Sequence, residues 1–134
     1  MMDAEVFLIE DDHAVRKGCE QALAIADIPV RGFADAETLL AALAAGARPA
    51  LVVSDVRLPG RDGLALLREL RQQGRHLPVL LMTGHGDVAM AVAAMREGAH
   101  DFIEKPFPSE RLVAAVRSAL EKRALIEENR QLRE

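Results

Sequence analysis

Val6-Phe7-Leu8-Ile9-Glu10-Asp11-Asp12 sets four consecutive apolar residues directly before three acids. Such a run, without alternation and with β-branched residues at both ends, fits a short strand buried on both faces. The acids mark where that strand leaves the core. The pattern recurs in Leu51-Val52-Val53-Ser54, which stops at Asp55, in Pro78 to Met82 before Thr83, and in Asp101-Phe102-Ile103 just before Lys105. Pro29 to Phe33 is a weaker case, and its Pro29 and Arg31 assign it to a sheet edge.

Between these runs the apolar spacing changes from continuous to helical. Val15 to Ala26 carries Val15, Cys19, Ala22, Leu23 and Ala26 on one stripe. Asp35 is placed to cap a second helix that Gly46 closes. The turn Leu58-Pro59-Gly60-Arg61-Asp62-Gly63 leads into a third, with Leu64, Leu67 and Leu70. Asp87 is expected to cap a fourth, for which Val88, Ala91, Val92 and Met95 form the expected face, and a fifth begins near Ser109 with Leu112, Val116, Ala119 and Leu120. Strand and helix therefore alternate five times. Continuous apolar strands joined by helical crossovers imply a parallel sheet covered on both faces and doubly wound. The expected architecture is flavodoxin-like, with strand order 2-1-3-4-5 and an extended C-terminal helix.

Composition excludes several classes of function. The chain has 134 residues, half of them hydrophobic, enough for one domain with a core but not for two. Aromatics are 3%, with no Trp or Tyr, which argues against stacking platforms for single-stranded nucleic acid. Seventeen basic residues against 21 acidic ones give −4, the wrong sign for a dedicated DNA-binding domain. The single cysteine excludes an internal disulfide. Four histidines, His13, His76, His85 and His100, lie on separate segments without an i, i+4 pair, so zinc is not expected. No signal peptide and no apolar run of about 18 residues is read, so the expectation is a cytoplasmic protein without a membrane partner.

In an open α/β sheet, ligands bind at the carboxyl ends of the strands. The residues collected there are Glu10, Asp11 and Asp12 after the first strand, Asp55 after the third, Thr83 after the fourth and Lys105 after the fifth. Any one of these acids alone is an ordinary cap or turn residue. Together at one edge they repel, and a hard divalent cation with oxygen ligands relieves that cost; Mg²⁺, which keeps several waters, suits the few protein oxygens on offer. Asp12 is assigned as the cap of the first helix, leaving Glu10 and Asp11 as the acidic pair.

Four motifs carry a resemblance here: Phe7-Leu8-Ile9-Glu10-Asp11-Asp12, Ser54-Asp55-Val56-Arg57-Leu58-Pro59-Gly60, Met82-Thr83-Gly84 and Phe102-Ile103-Glu104-Lys105-Pro106-Phe107. Over about residues 5 to 120 the chain resembles the receiver domain of two-component response regulators, which have the CheY-like version of this fold. The resemblance implies that Asp55 accepts a phosphoryl group from a sensor histidine kinase. It implies Mg²⁺ held by Asp11, by Asp55, by the main-chain carbonyl of Arg57 and, through water, by Glu10, a longer residue than the family's usual aspartate. Thr83 and Lys105 would contact the phosphoryl group, Thr83 and Phe102 would act as the switch, and Lys105-Pro106 would be cis. Such a domain is a regulatory phosphoacceptor and not a conventional enzyme. A receiver-like protein-binding module that takes no phosphate is the alternative.

A dehalogenase-type phosphatase would need a second acid two residues after its nucleophile on the first strand, and a cap domain. A flavodoxin would need a phosphate loop where this chain has three acids. Residues 1–120 are thus assigned to the receiver and 121–134 to a helical linker. Leu125, Asn129 and Leu132 fall at d, a and d of a heptad, with a polar a position that favours one register and a homodimer. Together with Thr83-Gly84-His85-Gly86-Asp87 and Glu121-Lys122-Arg123, this tail is similar to the receiver and linker of sigma-54-dependent (NtrC-family) activators, and among them to regulators of C4-dicarboxylate transport. The resemblance implies AAA+ ATPase and DNA-binding output domains in the full-length protein, outside these 134 residues.

Overall fold

The computed structural model describes residues 5–84 and 86–133, with side chains as far as 125. Five strands and five helices alternate: β1 (Val6–Ile9), α1 (His13–Ile25), β2 (Val30–Phe33), α2 (Ala36–Ala44), β3 (Leu51–Asp55), α3 (Gly63–Gln72), β4 (Val79–Thr83), α4 (Val88–Arg96), β5 (Asp101–Glu104) and α5 (Ser109–Arg133). The strands form one parallel sheet in the order β2-β1-β3-β4-β5, as expected.

Because successive strand residues point to opposite faces, each strand feeds two cores. Phe7, Ile9, Val52, Val79 and Leu81 face α2, α3 and α4, where Leu39, Leu66, Leu67 and Leu70 complete the packing. Val6, Leu8, Val53, Leu80 and Met82 face α1 and α5, against Leu23, Leu112 and Val116. Cys19 belongs to this second core, and burial above all pushes its thiol up to about 11, so it behaves as a small apolar side chain.

Capping follows the sequence at three helices. The carboxylates of Asp12, Asp35 and Asp62 accept from the main-chain N–H of Val15, Thr38 and Ala65 at 3.0, 2.8 and 2.8 Å. At the end of α2, Gly46 takes φ +110°, and the N–H groups of Gly46 and Ala47 donate to the carbonyls of Leu43 and Ala42, so it lies one position past the cap residue Ala45.

Three expectations are corrected. The strands run one residue further, to Asp55, Thr83 and Glu104, and start after Pro29 and Pro78, which lend the sheet a carbonyl but have no N–H to give. Asp87 precedes α4 but makes no side-chain cap bond. Finally, α4 turns Ala91 and Ala94 inward, while Val88 and Val92 are 37% and 40% exposed. Small residues let this helix lie close to the sheet, and the valines are left outside.

Candidate functional site

The sheet register builds the site at the carboxyl ends of its strands. Ile9 lies beside Ser54, so the residues that follow, Glu10 and Asp55, become neighbours on adjacent strands. Asp55 lies beside Met82, and Thr83 beside Glu104. The amide of Lys105 donates to the carbonyl of Thr83 at 2.8 Å and so fixes the start of the loop after β5. The Lys105-Pro106 bond is cis, as the resemblance implied.

Lys105 Nζ sits between two buried carboxylates, donating to Glu10 Oε1 and to Asp55 Oδ2 at 2.7 Å each. Glu10 is 1% exposed and Asp55 7%. The other oxygen of Glu10 accepts from the amide of Asp12 at 3.1 Å, and Asp55 Oδ1 accepts from the amide of Arg57 at 3.2 Å. Arg16 Nη1 donates to the carbonyl of Glu10 at 2.6 Å and holds that turn of chain from outside. Burial raises the Glu10 carboxyl above its ordinary value, against the lowering effect of the Lys105 and Asp12 hydrogen bonds. Burial alone would lower Lys105, but its hydrogen bonds and attraction to Asp55 and Glu10 prevail and raise it.

Asp11 is exposed, and its carboxylate completes a group with Glu10 and Asp55 in which one oxygen from each lies within 4.8 Å of the others. Opposite ligands of a Mg²⁺ octahedron are about 4.2 Å apart, so small side-chain movements suffice to gather these oxygens round one ion. Three carboxylates against one ammonium leave this pocket two negative charges in excess, which a divalent cation balances. Asp12 is spent as the cap of α1 and stands outside the group. Thr83 is fully buried, with its hydroxyl donating only a long 3.3 Å bond to the carbonyl of Gly84. Phe102 is half-buried against the α2–α4 core, while its neighbour Ile103 enters the α1–α5 core, the opposite orientation expected of adjacent strand residues. His85 lies outside the described residues.

Two features of the site escaped the sequence reading. Arg57 Nε donates to Asp87 Oδ1 at 2.8 Å, so the carboxylate that should cap α4 is tied instead to the loop after Asp55. The i, i+30 separation gave no signal. At Gly63, a Cβ would stand 2.9 Å from the carbonyl oxygen of Asp55 and 3.1 Å from the Val56 Cα, so only glycine lets α3 start this close to the end of β3. Its place directly after the cap Asp62 was the available clue.

A doubly wound parallel sheet with an acid pocket, a bridging lysine and a buried threonine at its carboxyl edge defines an α/β domain whose site is suited to a charged group. The comparisons with known proteins make this specific: the chain belongs to the response regulator receiver domain family, whose model matches residues 6–117. Receivers of this family are phosphorylated on an aspartate to control an output domain. The chain is 51% identical over 128 residues to the C4-dicarboxylate transport transcriptional regulatory protein DctD of Rhizobium meliloti, covering 96% of this chain and 28% of that protein. It is 47% identical to the transcriptional regulatory protein FixJ of Bradyrhizobium diazoefficiens, over 86% of this chain and 56% of that one. Among solved structures, NtrX from Brucella abortus in complex with ADP superposes with a TM-score of 0.90 at 39% identity, covering 98% of this chain and 30% of that one. The chain thus spans under a third of the DctD and NtrX chains it matches. Among the described residues, no helix is long and apolar enough to cross a membrane.

Proposed function

We propose that Asp55 is the phosphoryl acceptor, taking the group from the phosphohistidine of a sensor histidine kinase. One Asp55 oxygen attacks phosphorus, the P–N bond to the histidine breaks, and the imidazole leaves with the electron pair. The observation that carries this reading is the Lys105 ammonium 2.7 Å from Asp55 and from Glu10, a cation already seated beside the carboxylate that would react. Phosphoryl transfer needs positioning and charge neutralisation more than covalent help, and this arrangement supplies both.

Mg²⁺, held by Asp11, Asp55, the main-chain carbonyl of Arg57 and indirectly Glu10, would supply charge neutralisation at the phosphoryl oxygens when bound. The amide of Arg57 orients Asp55 by its bond to Oδ1. Thr83, whose present bond at 3.3 Å is easily given up, donates its hydroxyl to the new group, and Lys105 follows from carboxylate to phosphoryl oxygen. Phe102 moves inward as the Thr83 loop closes. The groove lined by Val15, Cys19, Pro106 and Phe107 also includes Lys105, so a kinase surface docked between α1 and the loop after β5 would lie next to the acceptor.

The switch is read out through dimerisation and the tail. We assign residues 1–120 to the receiver and 121–134 to a linker that begins a coiled coil, since α5 continues unbroken to Arg133 and its Leu125 is 61% exposed. The side chains of Asn129 and Leu132 lie outside the described residues. The match to DctD, 51% identical over 128 residues and reaching into the tail, supports an output like that of DctD, a sigma-54-type AAA+ ATPase with a DNA-binding domain. Nothing in the site favours a receiver-like module that takes no phosphate. The test is intact mass after acetyl phosphate and Mg²⁺: one added phosphoryl group in the wild type and none in Asp55→Asn. Equal labelling of that variant would overturn the assignment.

A further inference from the structure

At the opposite end of the sheet from Asp55 lies a second cavity, of about 400 Å³, lined by basic side chains. Arg71 reaches it from the end of α3, His76 from the loop before β4, His100 from the loop before β5, and Lys122 and Arg123 from α5. The rest of its lining is apolar or glycine, and none of it is acidic. Yet the chain as a whole carries −4, so this concentration of positive charge runs against the overall balance.

Among the described residues, three acids close to the cavity in sequence make their hydrogen bonds elsewhere. Glu97, next to the lining residue Gly98, holds Arg68 through two bonds of 2.8 and 2.7 Å. Glu69 accepts from Gln73 and pairs with Arg61, and Asp101 accepts from the amide of Phe102. Arg71 itself meets only main-chain carbonyls: Nη1 donates to Arg75 and Leu77 at 3.0 Å each, and Nη2 to Gly98 at 3.2 Å. Those bonds use three of its five N–H donors and bring no negative charge. Burial lowers its pKa, the mark of a cation without a counter-ion.

We propose that this cavity is a binding site for a compact multivalent anion, a small molecule bearing two or more phosphate or carboxylate groups. The basic side chains arrive from four separate segments, with Arg71 on α3 and Lys122 and Arg123 on α5 as the fixed charges, which suits an anion with more than one charged group. The volume, at the lower end of the range for small-molecule sites, suits a ligand somewhat larger than one phosphate. The apolar part of the wall, Leu77 and Ala119 among it, gives the body of such a ligand a surface to lie on. Lys122 and Arg123 stand where α5 leaves the domain, so an occupied site ties the outgoing helix to the loops before β4 and β5. This inference is independent of the reading of Asp55, since it uses the other end of the sheet.

The test is a titration of the isotopically labelled 134-residue chain with pyrophosphate, and separately with citrate, in Mg²⁺-free buffer at constant ionic strength. Saturable amide shifts confined to residues 76–77, 98–100 and 119–123 are expected. Lys122→Ala/Arg123→Ala should weaken binding about tenfold or more, as loss of charge-assisted bonds does. His76→Ala/His100→Ala gives a second variant that leaves both α5 and the bracing Arg71 untouched, and should weaken it too. Tighter binding of pyrophosphate identifies phosphate esters as the ligand class, and tighter binding of citrate identifies carboxylates. Shifts that never saturate, affinity unchanged in both variants, or binding of an acidic peptide with neither small anion bound would each overturn the proposal.

Discussion

Replacing Lys105 by Met removes the one ammonium that bridges Glu10 and Asp55 and keeps most of the aliphatic stem. Two carboxylates, both nearly inaccessible to water, are then left facing each other, each short of a bond of 2.7 Å. Removing one partner of a buried ion pair costs about 3–5 kcal/mol. Lys105 keeps 26% of its side chain exposed, so the lower end applies, about 3 kcal/mol. For a domain of this size that corresponds to a fall in Tm of roughly 10 °C. The same change frees the carboxylate oxygens for metal, so Mg²⁺ should recover much of the loss in Lys105→Met while stabilising the wild type less. Thermal unfolding of both proteins, with EDTA and with saturating Mg²⁺, measures all four values. A Tm for Lys105→Met within about 2 °C of wild type in EDTA would refute the reasoning, because it would mean that the two acids are not held together by this lysine.

The other predictions address the cap, the switch and the tail. Bonds from the Thr38 amide and hydroxyl lower the Asp35 carboxyl below its ordinary 3.8, so its contribution to stability is present above that pH and is lost as pH falls through the lower, folded-state value; in Asp35→Ala this part of the acid unfolding curve should flatten, and an unchanged curve would dismiss the cap. Thr83→Ala should still take one phosphoryl group at Asp55, but hydrogen exchange across residues 86–107 should change less on adding beryllofluoride than in wild type. Ending the chain after Arg123 should weaken dimerisation in sedimentation experiments, and a full chain that stays monomeric at high concentration would remove the heptad argument.

The fold was readable because three of the five strands, β1, β3 and β4, are buried on both faces, and that leaves a continuous apolar run in the sequence. The site was readable because its chemistry sits on the residues just after those runs: Glu10, Asp11, Asp55 and Lys105 come together, and Thr83 ends the strand beside them. What stayed hidden has physical reasons. Asp55, Thr83 and Glu104 join the ladder because main-chain bonding is indifferent to side-chain polarity, so polarity marked the strand ends one residue early. The exposed face of α4 followed from the size of Ala91 and Ala94, whereas periodicity weighted the larger valines. Pairs such as Arg57 with Asp87, or Arg71 with Lys122, exist only once distant segments are brought together.

The tie between Arg57 and Asp87 joins the loop after Asp55 to the start of α4. Arg57 is 73% exposed, so the pair is worth no more than about 1 kcal/mol and breaks readily. Yet its two ends are an amide's length from Asp55 and the first residue before α4. A molecule that grips the start of α4 and draws Asp87 away releases the loop that aims Asp55. By linkage, if an ion in the acid pocket altered the affinity of α4 for such a molecule, the molecule would alter the pocket's affinity for the ion by the same factor. A partner held at the outer face would thus bear on how readily the pocket takes up its charge.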